Sequence, residues 1–335
     1  MFLHESAPQE HGHAGVAMNE AVLERSPLHV KAMVRALRMI FAILCLVSRT
    51  VASRLALRLF LKPPRSPERR WQKWVAEPPR VRRVSLEARE IDITEFGHGA
   101  RAVLLVHGWG GRGSDLAAFA QPLLDRGFRV AWFDGPAHGS SSGQATDMFQ
   151  FAAAIRQVCR TVPGVEAIVA HSFGAACSLL ANWETPLGVR RMVLVGCFAD
   201  AIYITESFGR FLRIAPAVTA GMRSLLAERY RRRWSWEEIA PLRLVKCARL
   251  PILFIHDADD DEVPFAQAGA LADAAESARL YRTQGQGHRR ILRDAAAVQA
   301  ATHFVCDALG AEDRSASGSV LAAREASAPD AARAS

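Results

Sequence analysis

The sequence predicts an α/β protein built on a mostly parallel, doubly wound β-sheet. Short apolar runs recur along the chain, separated by spacers of about 20 to 30 residues that can each hold a crossover helix. Most of the later runs are apolar throughout, as expected of strands buried on both faces. The 335 residues, half of them hydrophobic, suffice for one domain of roughly 200 to 250 residues with extensions at both ends.

The runs predict the strands directly. In chain order they cover residues 84–93, 102–108, 128–134, 165–172, 190–196, 251–257 and 278–283. Ligands of doubly wound sheets bind beyond the carboxyl ends of the strands. The functional candidates are therefore the residues that directly follow each run.

The regions outside the runs predict the domain organisation. Residues 1–28 and 311–335 are polar and aperiodic and are predicted to be disordered tails. Residues 29–83 predict a basic amphipathic helix followed by a Pro-rich linker. The main domain is predicted to span 84–310.

Positive charge is concentrated in the N-terminal extension. Residues 25–83 hold fifteen Lys or Arg and two Glu, a net charge of +13 in a chain whose total is +8. On a helical wheel, one side carries Lys31, Arg35, Arg38 and Arg49, and another carries Leu37, Ile40, Leu44, Val51 and Leu55. Three interpretations of residues 30–62 are open: a helix packed on the domain, a helix on an anionic membrane surface, and a secretory signal peptide. The apolar run at 39–47 is too short for a spanning helix, which needs about 20 residues.

The six cysteines are widely spaced, without a C-x-x-C pair. This pattern is typical of a reducing compartment and argues against a disulfide scaffold or a structural metal site. We therefore expect a cytoplasmic protein, with attachment to the inner membrane surface as an open alternative.

The stretch IVAHSFGAAC at 168–177 predicts a nucleophile. Ser172 follows an apolar strand and precedes a helical pattern, and its small neighbours Ala170, Gly174 and Ala175 permit a tight strand-to-helix turn that exposes the hydroxyl. The alternative is a buried serine or a helix N-cap.

Two later segments supply the partners that a serine nucleophile requires. The strand at 251–257 runs into the acidic cluster HDADDDEVP, and His288 follows the last strand in GQGH. The order Ser, Asp, His is the one expected on a doubly wound sheet. His288 would act as the base, and one aspartate of the cluster would orient its imidazole.

The segment HGWGG after the second run predicts an oxyanion hole, because glycines let backbone N–H groups approach a substrate oxygen. We assign the donors to the N–H groups of Trp109 and Phe173. Nucleotide binding is not expected, since neither G-x-G-x-x-G nor a P-loop is present.

Together, HGWGG, DGPAHGSSSG, AHSFGA, HDADDDEVP and GQGH resemble the alpha/beta-hydrolase family of serine esterases and lipases, over roughly residues 84–309. The resemblance implies an eight-strand sheet with a Ser–His–acid triad, and it selects Asp260 as the acid, with Asp259 and Asp261 as the nearest alternatives. The sequence departs from the family at Asp257 and at Ala170, where glycine is usual. Calcium binding by the acidic cluster is a further alternative, although EF-hand spacing is lacking.

The resemblance also implies a small helical lid at about 199–248. There, Ser235 and Glu238 form a capping-box pattern that opens a short helix. Apolar side chains of this segment would either line an acyl pocket or pack the lid on the body: Phe208, Phe211, Leu212, Ile214 and Met222.

The sequence thus predicts a serine hydrolase of carboxylic esters with a small-molecule ester or acyl substrate. No cofactor, metal or nucleic-acid partner is expected, and residues 30–62 are a candidate contact with anionic membranes. A thioesterase, a serine peptidase and a non-catalytic binding protein remain alternatives, and the oligomeric state is open.

Overall fold

The computed structural model describes residues 23–24, 27–66, 71, 74–87, 89–231 and 234–307. Within these residues the chain forms an eight-stranded sheet in the order β1-β2-β4-β3-β5-β6-β7-β8. The strands are β1 Arg80–Leu86, β2 Arg89–Phe96, β3 Ala102–Val106, β4 Arg129–Phe133, β5 Val165–His171, β6 Arg191–Val195, β7 Ile252–Asp257 and β8 Ala278–Thr283. Strand β2 pairs antiparallel with β1 and β4, and the remaining pairs are parallel.

Helices cover both faces of the sheet. They are α1 Leu28–Val47, α2 Arg49–Phe60, α3 Ala120–Leu124, α4 Met148–Thr161, α5 Phe173–Glu184, α6 Ala201–Phe211, α7 Pro216–Arg229, α8 Pro241–Cys247, α9 Phe265–Asp273, α10 Gly287–Arg290 and α11 Ala295–Cys306, with 3-10 helices at Gly113–Phe119 and Ile291–Arg293. Alternate residues of the central strands point to opposite sides. Leu104 and Ile168 pack with α4 and α5, while Leu105 and Val169 pack towards α11.

The predicted first strand is wrong in its extent. Residues 84–93 do not form one strand, because the chain reverses between Leu86 and Arg89, which pair as the last residues of β1 and the first of β2. The turn residue Glu87 has a left-handed φ of 52°, which a sequence without Gly or Asn at this point does not signal. The sheet also begins at Arg80, ahead of the predicted domain start at 84.

The N-terminal extension forms two helices rather than one. Ser48 interrupts the predicted helix, and its Oγ accepts a hydrogen bond from Val51 N at 3.3 Å as the cap of α2. Three of the five side chains on the predicted apolar side, Leu37, Leu44 and Leu55, pack in one cluster with the buried Val34 and Phe41. The other two, Ile40 and Val51, are exposed.

Both helices contact the domain. Arg38 donates to the Phe211 carbonyl at the end of α6, at 2.7 Å from Nη2, and Ser53 Oγ donates to Val218 O on α7 at 3.0 Å. These contacts show that the segment 30–62 packs on the domain, which is the first of the three interpretations of this segment. Within the described residues, no helix is long and apolar enough to cross a bilayer.

The predicted insertion at about 199–248 holds α6, α7 and α8. The capping box forms as predicted, with Ser235 N donating to Glu238 Oε2 at 2.6 Å and Glu238 N to Ser235 Oγ at 3.2 Å. It closes a turn rather than a helix, and α8 begins only at Pro241. The tails predicted at 1–28 and 311–335 lie outside the described residues, apart from 23, 24, 27 and 28.

Candidate active site

Ser172 occupies a sharp turn between β5 and α5. Its backbone has φ 51° and ψ −118°, a conformation that costs an L-residue roughly 1–3 kcal/mol. Small neighbours make the turn possible, because a Cβ on Gly174 would lie only 2.2 Å from the His107 carbonyl oxygen. Ala170, where glycine is usual, lies within β5 with its methyl group fully buried. The strand-to-helix turn predicted from the sequence is present.

The structure brings the three predicted side chains into one hydrogen-bonded chain. Ser172 Oγ lies 2.9 Å from His288 Nε2, and His288 Nδ1 lies 2.7 Å from Asp260 Oδ2. The Asp260 side chain is only 1% exposed. Its other oxygen accepts the N–H groups of Glu262 at 2.9 Å and Val263 at 2.8 Å, so the carboxylate is fixed in place.

The charges around this chain keep the aspartate ionised. Burial favours the neutral acid, but hydrogen bonds from His256 and His288 outweigh it and hold the pKa of Asp260 well below its usual range. Burial likewise opposes the charge on His288, but the Glu262 and Asp260 carboxylates outweigh it and raise the pKa of His288 above 6.5. Glu262 Oε2 lies 3.9 Å from His288 Nε2.

Asp257 is a site residue whose role sequence reasoning missed. Its buried carboxylate accepts four hydrogen bonds: from Thr283 Oγ1 at 2.7 Å, Gly287 N at 2.9 Å, Asp259 N at 3.0 Å and Gln286 N at 3.1 Å. It thus ties the end of β7 to the loop that carries His288. The signal was an acid at a position where the resembling family has glycine.

A second imidazole, that of His256, lies next to the Asp260 carboxylate. His256 Nε2 donates to the Val263 carbonyl at 2.8 Å and lies 3.3 Å from Asp260 Oδ2. In the sequence, this histidine is the first residue of HDADDDEVP. Its position at the end of the buried strand β7 was the available signal.

The acidic cluster is held by donors of the protein itself. Asp259 Oδ2 accepts Gly285 N at 2.9 Å, and Asp260 and Asp257 are bonded as described above. Among the described residues, no group of three or more His, Cys, Asp or Glu side chains has the arrangement of a metal site. Through these bonds, Asp257, Asp259 and Asp260 hold the loop that carries His288.

The HGWGG loop lies beside Ser172. A Cβ on Gly108 would lie 3.2 Å from the Cβ of Ser172, so this position has no room for a larger side chain. The rings of Trp109 and Phe173 meet edge to face with centroids 5.0 Å apart. Both predicted oxyanion donors therefore belong to residues that flank Ser172.

A mostly apolar cavity of about 280 Å³ opens onto Ser172 and His288. Small-ligand pockets are typically of about this size or larger. Its walls come from α2, the start of α4 and the helices between β6 and β7. Representative lining residues are Leu59, Phe60, Phe149, Ile204, Phe208 and Trp236.

Of the five apolar residues that were open to either lining a pocket or packing the insertion, one lines this cavity. Phe208 does so. The other four, Phe211, Leu212, Ile214 and Met222, pack with α1 and α2 in a separate apolar cluster. These four side chains face the N-terminal extension. The sequence alone does not predict that this extension packs on the insertion.

Comparisons with known proteins agree with this architecture. The family described as "alpha/beta hydrolase fold" matches residues 101–227. An esterase from Exiguobacterium antarcticum superposes with a TM-score of 0.50 at 16% identity, covering 65% of this chain and 96% of its own. The chain has the alpha/beta hydrolase fold.

Two further solved structures superpose on the chain at similarly low sequence identity. A thioesterase domain from the curacin biosynthetic pathway gives a TM-score of 0.52 at 16% identity, covering 68% of this chain and 99% of that one. A membrane phospholipase A gives 0.53 at 17% identity, covering 87% of this chain and 99% of that one. No curated protein matches the sequence.

Proposed function

We propose that this protein is a serine hydrolase that cleaves carboxylic esters through an acyl-enzyme on Ser172. The observation that carries the proposal is the continuous hydrogen-bond chain from Ser172 through His288 to Asp260, which opens onto an apolar cavity. An isolated serine would be too weak a nucleophile, and here a base and its orienting acid are both within hydrogen-bond reach.

The geometry supports a two-step reaction. Ser172 Oγ attacks the ester carbonyl carbon while His288 Nε2 takes its proton, and the oxyanion receives hydrogen bonds from the Trp109 and Phe173 N–H groups. The C–O bond to the alcohol then breaks, and His288 returns the proton to the leaving oxygen. Water, deprotonated by His288, attacks the acyl-enzyme, releases the carboxylic acid and restores Ser172.

Asp260 serves this cycle without changing its own charge. It accepts the Nδ1–H of His288, so that Nε2 faces Ser172 as the acceptor. It also stabilises the imidazolium that forms in each step. The low pKa of Asp260 suits this role, because the carboxylate stays ionised whenever His288 becomes charged.

The cavity favours an acyl group with an apolar chain over a polar one. Its walls are formed largely by aromatic and aliphatic side chains. The names of the solved neighbours are consistent with acyl substrates, since they include an esterase, a phospholipase and a thioesterase domain. Thioesters are therefore the second candidate substrate class, cleaved by the same residues, and a serine peptidase and a non-catalytic binding protein are further alternatives.

Hydrolysis of p-nitrophenyl esters, from acetate to long acyl chains, tests the proposal. We expect activity with the full-length chain, faster with longer chains than with acetate, together with covalent labelling by a fluorophosphonate. Cleavage of acyl thioesters but not of esters would reassign the substrate. Absence of both labelling and hydrolysis would support the binding protein.

Glu262→Gln is expected to move the acidic limb of the kcat/KM–pH profile to lower pH. His288 must be neutral to act as the base, so activity rises with pH through its pKa. Removing the Glu262 carboxylate, which lies 3.9 Å from Nε2, lowers the pKa of His288. Glu262 is also the partner of Arg289 at 2.9 Å, so the change leaves the positive charge of Arg289 unbalanced, and this lowers the pKa of His288 further. The exposed Glu276→Gln serves as the control. An unshifted limb would contradict this electrostatic role of Glu262.

We also propose a cytoplasmic location. All six cysteines lie in the described residues and none forms a disulfide. Cys177 and Cys197 are buried, and burial raises the pKa of both thiols. Such thiols suit a reducing compartment.

A further inference from the structure

Helix α1 exposes an apolar face that the fold does not use. Met39 is 65% exposed, Ile43 62%, Leu46 89% and Val47 76%. Their spacing of i, i+4, i+7 and i+8 places them on one side of the helix. Exposed large apolar side chains that cluster in this way mark an interaction surface.

The opposite side of the same helix is already occupied. Val34 and Phe41 are buried in the apolar cluster with Leu212 and Ile214. Arg38 is anchored to the Phe211 carbonyl at 2.7 Å. Contacts with the domain therefore fix α1 in place and leave the Met39 side facing outwards.

Basic side chains accompany this apolar face. Residues 28–62 contain seven Lys or Arg and no Asp or Glu. Arg35 borders the face on α1, and Arg49, Arg54 and Arg58 are exposed on α1's continuation, α2. An apolar stripe flanked by Arg35, on a basic segment without acidic residues, complements an anionic bilayer surface.

We propose that the outer face of α1 docks on an anionic lipid bilayer. The helix lies in the interface, with Met39, Ile43, Leu46 and Val47 inserted among the acyl chains and the arginines at the level of the headgroups. A second copy of the chain is the less suitable occupant, because pairing two such faces would bring their cationic borders together without an acidic partner.

The docked helix leads directly to the cavity. Ser48 joins α1 to α2, and the last turn of α2 places Leu59 and Phe60 in the cavity wall. We infer that the ester substrate is a lipid of the bilayer to which α1 is docked. This second part rests on the proposed function, whereas the docking does not.

Flotation of the full-length protein with vesicles tests the docking. We expect binding to phosphatidylcholine vesicles that contain phosphatidylglycerol, weaker binding to phosphatidylcholine alone, and release of the protein as the salt concentration rises. The double change Ile43→Glu and Leu46→Glu should lower the partition coefficient of the protein between water and vesicles at least about 100-fold. The reason is that two fully inserted apolar side chains are lost. The control changes two exposed apolar residues elsewhere, Val81→Glu and Trp183→Glu, and should bind as wild type does.

The outcomes separate docking from catalysis. Failure of the wild type to float with anionic vesicles, or wild-type binding by the double variant, would overturn the docking. A dimer in light scattering that the double variant abolishes, without flotation of the wild type, would assign the face to a second copy. The double variant should keep its activity on soluble p-nitrophenyl esters and lose activity on vesicle lipids. A wild type that floats but cleaves no ester would overturn the proposed function alone.

Discussion

Ser172→Ala is expected to reduce turnover on p-nitrophenyl esters by about a million-fold. The change removes the only atom that can form the acyl-enzyme in the proposed mechanism, and it leaves His288 and Asp260 in place. Initial rates measured with a single batch of wild type and variant, together with fluorophosphonate labelling, provide the test. The variant should take up no label.

Ser178→Ala is the matched control for this change. Ser178 is buried on α5, close to the nucleophile, and its Oγ donates to the Gly174 carbonyl at 2.7 Å. Its loss should leave turnover within a few-fold of wild type. If the Ser172 variant kept substantial activity, the nucleophile would have to be another residue and the interpretation of AHSFGA would be wrong.

Asp260→Asn is expected to lower kcat by about ten-thousand-fold. The asparagine amide would present an N–H to His288 Nδ1, which favours the tautomer that carries its proton on Nε2. That tautomer cannot accept the Ser172 proton. The carboxylate that balances the imidazolium charge is lost as well. The measurement is kcat across the pH range on the best p-nitrophenyl ester.

The variant Asp261→Asn, at the neighbouring residue, is the matched control for Asp260→Asn. Asp261 is exposed, and the sequence alone left it open as an alternative to Asp260. It should retain nearly full activity, and the acidic limb of its pH profile should move less than in Glu262→Gln, because Glu262 is the main charge that raises the pKa of His288. A large loss in Asp261→Asn with little effect in Asp260→Asn would transfer the role of the acid to Asp261.

Short-range patterns allowed the sequence to predict much of the central fold and the candidate site. Strand β3 is apolar throughout, and β5 and β7 contain the apolar runs 167–170 and 252–255, which indicate burial on both faces. The turn at Ser172 was predictable because only small residues fit there. The alignment of Asp260 by resemblance agrees with its 2.7 Å contact to His288.

The features that were missed depend on long-range contacts. On the helical wheel Ile40 shares the apolar side with Leu37 and Leu44, but Ile40 is exposed and Phe41 is buried instead. Ser48 also divides the predicted helix in two. Met222 was considered for the substrate pocket, although it packs against the N-terminal helices. Periodicity identifies an apolar side chain and does not identify the element that covers it.

The left-handed backbone at Ser172 places stability and activity in opposition. Glycine adopts a φ of 51° without the penalty that a side chain incurs, so the proposed nucleophile occupies a position that glycine would stabilise. Selection for heat resistance alone would favour loss of the serine. If Ser172 is the nucleophile, as proposed, a laboratory evolution experiment that screens only for thermal tolerance should therefore tend to replace it with glycine.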